Sequence, residues 1–214
     1  MGLIGKSKKL TAEDVVGGRQ LHSKVAIVTG GNSGLGYETA RVLCKAGARV
    51  ILACRNVKAA EAACDKIRFE LEGAAAAAVE IVHDSEWVGA NYSDIGTVEV
   101  MELDLADLES VRSFAAKFIE EECPLHYLIC NAGKMAPPYR RTAQGYETQW
   151  AVNHLGHFLL AALLTEKLDE TAGRTEDGSR LVVLTSQSHQ LGKMHWDEGF
   201  LNAQKDYDPC VRAS

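Results

Sequence analysis

The sequence predicts an α/β fold, a doubly wound parallel sheet with helices on both faces. Two observations carry this. Five short runs of apolar, largely β-branched residues recur along the chain, and apart from the glutamates of the third they lack the regular polar alternation of a half-exposed strand. Helical stretches separate them, and strands that alternate with helices build a parallel sheet covered on both sides. A third observation fixes the end of the sheet where chemistry is expected: a glycine-rich loop joins the first strand to the first helix of this series.

The elements follow in order. Residues 1–22 are polar and contain glycine, and are read as a lead-in segment before a domain spanning 23–214. KVAIVTG (24–30) is the first strand. Residues 33–46 form a helix, with Leu35, Thr39, Val42 and Leu43 near one face. ARVILAC (48–54) is the second strand, followed by an Ala-rich helix over 57–71. The segment 73–97 breaks the rhythm and is read as a surface insertion. Its Ala run extends the preceding helix on one reading, and Trp87 and Tyr92 are read as packing locally, with ligand binding as the alternative. VEVMELD (98–104) is the third strand. Residues 107–121 form an amphipathic helix, with Leu108, Val111, Phe114, Ala115 and Phe118 at helical spacing. HYLICN (126–131) is the fourth strand, residues 144–171 are mostly helical, and RLVVLTS (180–186) is the fifth strand.

Composition narrows the function classes. A chain of 214 residues accommodates one domain with a sizeable core. A net charge of −6 argues against nucleic-acid and anionic-membrane binding. No apolar run approaches the ~20 residues of a transmembrane segment. The N-terminus lacks the apolar core of a secretory signal, and Lys6 stands where a myristoylation site needs Ser or Thr. The six cysteines at 44, 54, 64, 123, 130 and 210 form no C-x-x-C pair, so they are read as buried thiols in a reducing compartment rather than a zinc site. A cytoplasmic or organelle-stroma location fits, and secretion does not.

The loop reads T-G-G-N-S-G-L-G over 29–36. Gly30 allows a sharp turn, Gly34 a close backbone approach to a pyrophosphate, and Gly36 tight packing of helix on strand. The helix that opens there offers free N–H groups and a positive dipole end to phosphate. Strand, loop and helix in this order are the context that a dinucleotide-binding Rossmann fold requires.

The T-G-x-x-x-G-x-G spacing resembles the short-chain dehydrogenase/reductase family. ILACR (51–55), LDL (103–105), NAG (131–133), NHLGHF (153–158) and VVLTS (182–186) follow in the family's order, so the resemblance covers 24–186. The details look most like the retinol dehydrogenase, WW-domain oxidoreductase and protochlorophyllide reductase branch. Arg55 stands at the end of the second strand, where an acid would favour NAD, and a guanidinium there suits the 2′-phosphate of NADP. Asn32, Ser33 and Leu35 belong to the same loop. The resemblance implies that Asp104 and Leu105 border the adenine, and that Asn131, Ala132 and Gly133 run along the cofactor. It also implies that Ser186 orients a substrate oxygen and that Asn153 supports a proton path. His154, His157 and His189 are read as packing or surface histidines.

The family's catalytic pair is a tyrosine with a lysine four residues later. Tyr127, Tyr139, Tyr146 and Tyr207 lack that lysine; position 211 is Val211. Tyr207-Asp208-Pro209 resembles the lead-in to the motif, so the tyrosine is expected at or beyond Ser214 and the domain is read as C-terminally truncated. The expected function is hydride transfer between NADP(H) and a small, apolar carbonyl or alcohol substrate, with this chain inactive alone. The full-length form is left open to homo-oligomerisation. The alternative is a redox-dead dinucleotide-binding or interaction protein. An S-adenosylmethionine-dependent methyltransferase explains neither Arg55 nor NAG.

Overall fold

A computed structural model describes residues 9–80 and 95–190. The expectations that concern Trp87, Tyr92 and residues 207–214 lie outside the described residues. Five strands, β1 Val25–Thr29, β2 Arg49–Cys54, β3 Val98–Glu102, β4 Tyr127–Cys130 and β5 Arg180–Val183, form one parallel sheet in the order β3-β2-β1-β4-β5. The chain starts in the middle, winds outward to β3, then returns to place β4 on the other side of β1. The order reverses between β1 and β4. Loops diverge at such a point and leave a crevice at the carboxyl ends of the strands.

Both faces of β1 are buried, which is why its sequence does not alternate. Ile27, with Ile51 and Leu128, packs on Phe114 and Phe118 of α4 (Leu108–Glu120) and on Leu160 and Leu164 of α6 (Gly156–Arg174). Ala26 and Val28, with Val50 and Leu52, pack on Ala40 and Cys44 of α2 (Gly34–Lys45) and on Ala60, Cys64 and Ile67 of α3 (Val57–Glu80). Each large side chain so buried contributes roughly 1.5–3 kcal/mol. Cys44, Cys54, Cys64 and Cys130 are buried free thiols; burial pushes Cys44, Cys64 and Cys130 up to about 11, which leaves them unreactive.

Several elements depart from expectation. The lead-in contains a helix, α1 (Ala12–Val16), closed by a reciprocal capping box between Thr11 and Asp14 and ended by Gly17 in the left-handed region. Its Glu13 pairs with Arg41 and Lys45 of α2 at 2.9 and 3.1 Å. Helix α3 runs on through the Ala run to Glu80, as the reading that extended the helix expected, because alanine is the strongest helix former. Gly96 then lies against the Ala48 backbone with no room for a side chain, and Thr97 accepts the Val50 N–H. The helix expected over 144–171 begins only at α5 (Thr148–Trp150), because Gly145 turns at φ +86° just before it. It passes through a π turn, Ala151–Leu155, before α6. Leu35 does not face the core: it is 74% exposed, since the first turn of α2 rises above the sheet and Gly36 takes the inward position. In β5 the apolar residues Leu181, Val182 and Val183 stay 45–52% exposed.

Candidate active site

Everything at the crevice hangs on the end of β1. Thr29 closes the strand and Gly30 turns at φ +65°, its N–H donating to Ala53 O at 2.9 Å. A Cβ on Gly30 would sit 3.0 Å from Ala132, so the turn needs both the left-handed backbone and the missing side chain. Gly31 packs on Leu52, and a Cβ on Gly36 would strike the Asn131 carboxamide and lie 2.6 Å from Gly30 O. The same carboxamide donates to Thr29 O at 2.9 Å. The glycine loop and the segment after β4 are therefore stitched together directly.

Ser33 precedes α2 in an extended conformation, makes no side-chain cap, and no acid occupies the first turn. Helix α4 differs: Asp107 caps it by accepting from the Glu109 N–H at 3.1 Å. The exposed Gly34, at φ +58°, has open space where a side chain would project. The start of α2 thus presents bare N–H groups and a positive dipole end beside a backbone that an anion can approach closely.

Beside this loop, β2 ends at Cys54, whose thiol lies 3.6 Å from Asn32 Oδ1. Burial pushes that thiol up, while the backbone N–H groups of Asn32, Gly31 and Gly30 oppose the shift. Cys54 thus underpins the loop from below. The next residue, Arg55, is exposed and has no ion-pair partner among the described residues.

After β3, Asp104 Oδ1 accepts from the Ala106 N–H at 2.9 Å, and the Asp104 N–H donates to Ser110 Oγ at 3.0 Å. Leu105 is a core residue, packed so closely on Gly156 that no side chain fits there.

Asn153 sits in the π turn, a helical irregularity frequent at functional positions. Its Oδ1 accepts from the Lys134 N–H and its Nδ2 donates to Lys134 O. A Cβ on the exposed Gly133 would lie 3.6 Å from the same Oδ1. Thr29 Oγ1 accepts the Asn131 and Ala132 N–H groups, both at 2.9 Å, and contacts His157 Nε2 at 2.9 Å. Ser186 follows β5 on the crevice side, two residues beyond Leu184, whose N–H donates to Cys130 O.

The structure brings Gly30, Gly36, Asn131, Ala132, Gly133 and Asn153 into one contiguous group, with Asn32 joined to it through Cys54. Arg55 and Asp104 border it from β2 and β3. Sequence reasoning did not single out Gly31, Cys54, Lys134 or the contacts of Thr29, and it read His157 as a packing or surface histidine, which its burial bears out. Thr29 and Gly31 stood inside the quoted loop motif. For His157, the signal to its contacts was its place next to Gly156, where no side chain fits against Leu105.

A family model described as short chain dehydrogenase matches residues 24–94. Retinol dehydrogenase 12 of Mus musculus is 42% identical over 188 residues, covering 88% of this chain and 50% of that protein. The WW domain-containing oxidoreductase of Danio rerio is 42% identical over 180 residues, covering 84% and 37%. Among solved structures, an uncharacterised protein from Mycobacterium paratuberculosis superposes with a TM-score of 0.68 at 34% identity, covering 91% of this chain and 57% of that one. The chain spans about half the length of the curated relatives it matches.

Proposed function

Because the chain belongs to the short-chain dehydrogenase family, we propose that its crevice binds NADP(H), as the dinucleotide-binding part of an oxidoreductase acting on a small, apolar carbonyl or alcohol. One observation carries the cofactor assignment. The uncapped, glycine-lined start of α2 opens at the sheet's reversal point, and the guanidinium of Arg55, without an ion-pair partner among the described residues, stands at the end of the neighbouring strand.

The residues fit such a group. Gly34 and Ser33, with the first N–H groups of α2, hold the pyrophosphate. Arg55 and Asn32 take the ribose 2′-phosphate: a guanidinium donates in pairs to phosphate oxygens, whereas an acid would repel them. Asp104 and Leu105 border the adenine, with Asp104 already held in place by its own turn. Asn131, Ala132 and Gly133 line the path toward the nicotinamide. Leu35 covers part of the cofactor with apolar surface, which accounts for a large hydrophobe left exposed at the crest. When bound, the cofactor supplies or accepts the hydride.

The chain's own residues then orient and stabilise. Ser186 donates its hydroxyl to the substrate oxygen, where negative charge grows during reduction. Asn153 holds the Lys134 backbone in position, and the likeness to the family gives it the role of supporting a proton path. The relatives are named as retinol dehydrogenases, and this favours an apolar aldehyde or alcohol as substrate. A second reading, a dinucleotide-binding protein without turnover, is favoured by one observation: none of the six tyrosines has a lysine four residues on.

The test is titration of the chain with NADPH and NADH, followed by cofactor fluorescence. Tighter binding of NADPH supports the assignment; equal affinities, or binding of neither, overturn it.

A further inference from the structure

His157 is 5% exposed and forms no part of the chemistry above, yet its ring touches both halves of the crevice. Nε2 lies 2.9 Å from Thr29 Oγ1, and Nδ1 lies 3.2 Å from the Asn153 carbonyl oxygen. Counting donors and acceptors determines where the protons are. A carbonyl oxygen only accepts, so Nδ1 carries the hydrogen. Nε2 then bears a lone pair and accepts the Thr29 hydroxyl proton. That leaves the two lone pairs of Thr29 Oγ1 for the two N–H groups aimed at it, those of Asn131 and Ala132. Every donor and acceptor is matched once.

The other tautomer breaks this count. It sets the Nδ1 lone pair against the Asn153 carbonyl and brings a third donor to Thr29 Oγ1. The hydroxyl proton would be left to Ile129 O at 3.4 Å, a longer contact.

We infer that His157, as the neutral Nδ1–H tautomer, is a positioning residue for the dinucleotide site. It acts through Thr29. By taking the hydroxyl proton it holds both Thr29 lone pairs toward Asn131 and Ala132, and so sets the orientation of the strand end along which the cofactor is proposed to lie. Asn131 passes the constraint on, because its carboxamide donates to Thr29 O and abuts Gly36 of the glycine loop. Through the Asn153 carbonyl, the same ring ties the π turn to this assembly. The proposal rests on the cofactor reading above.

Three measurements on the full chain test it. The imidazole ¹⁵N shifts of the wild type report the tautomer directly: a protonated Nδ1 and an unprotonated Nε2 are expected at neutral pH, and the reverse tautomer or a charged ring overturns the inference. Amide exchange in His157→Phe is expected to accelerate about tenfold at Asn131 and Ala132, while Ile27 and Leu128 hold their rates. His157→Gln, whose amide reaches Thr29, is expected to restore protection. A uniform acceleration across the sheet, or no local one, overturns it. If His157→Phe does not fold, the same comparison is made with Thr29→Val, which removes the hydroxyl instead. NADPH affinity is expected to fall about tenfold in His157→Phe and to recover in His157→Gln. Wild-type binding with unimpaired binding by His157→Phe overturns the positioning role alone. Absence of NADPH binding by the wild type overturns the cofactor reading, and the tautomer and exchange data then identify that reading as the part that failed.

Discussion

The Asn153 carboxamide clasps the Lys134 backbone from both sides, accepting its N–H at 2.8 Å and donating to its carbonyl at 2.9 Å. An amide is the only side-chain group of this size that donates and accepts in one plane, so neither Asp nor Leu can replace it. Asn153→Asp is expected to keep the acceptor but set a carboxylate oxygen against the Lys134 carbonyl. Asn153→Leu loses both bonds. Each change is expected to cost about 1–3 kcal/mol in urea denaturation and to weaken NADPH binding, with Asp no better than Leu.

Replacing Arg55 by Asp is expected to weaken NADPH binding by roughly 1.5–3 kcal/mol, the scale of hydrogen bonds to a charged group. NADH binding should hold or improve, because the new carboxylate can accept from a ribose hydroxyl. Fluorescence titration with both cofactors measures the switch, and an unchanged NADPH affinity removes Arg55 from the site.

Two glycines of one loop should fail differently. At Gly36 an added methyl meets the Gly30 carbonyl, which is main chain and cannot swing aside. Gly36→Ala is therefore expected to lower stability by about 1–3 kcal/mol. At Gly34 the methyl enters open space, and the cost is the left-handed backbone alone, about 1–2 kcal/mol. Gly34→Val is expected to leave the circular dichroism spectrum nearly unchanged while abolishing cofactor binding, because its branched side chain fills the pyrophosphate's approach.

Acid should loosen the sheet through two histidines. Burial, the main cause in both, holds His126 and His157 below their ordinary value. His126 Nδ1 accepts the Val25 N–H at 3.0 Å, which it can do only while uncharged. The unfolded chain then binds more protons than the folded one once pH drops below about 6.5. Stability is therefore full above that pH and declines as pH falls toward the lowered folded values, by at most about 1.4 kcal/mol per pH unit for each ring. Thermal melts between neutral pH and about pH 5 measure this. His126→Gln should flatten part of the slope.

The sheet was legible because strands buried on both faces must be apolar throughout, as Val25 to Val28 and Val50 to Cys54 are. The glycine loop was legible because Gly30 and Gly36 answer local demands that sequence spacing records. Asn153 was visible only as a motif position; its grip on Lys134 depends on where a π turn falls, which no periodicity shows. Helix α1 is too short to have a period, and only its Thr11–Asp14 cap announced it. Leu35 misled because helical spacing assigns a face without saying that the first turn stands clear of the sheet. His157 looked like packing because burial and hydrogen bonding in a helix leave the same mark on a sequence.

The central position of β1 also sets a schedule for synthesis. Its β2 partner is made almost at once, but Val25 and His126 are 101 residues apart. At translation speeds of about 5–20 residues per second, the β4-facing edge of β1 waits on the order of 5–20 s for its neighbour. During that interval Thr29 has neither Asn131, Ala132 nor His157 to bind, and the face that Phe114 and Phe118 cover still lacks Leu160 and Leu164 of α6. In order of synthesis, the three strands on one side of the crevice therefore precede every partner on the other.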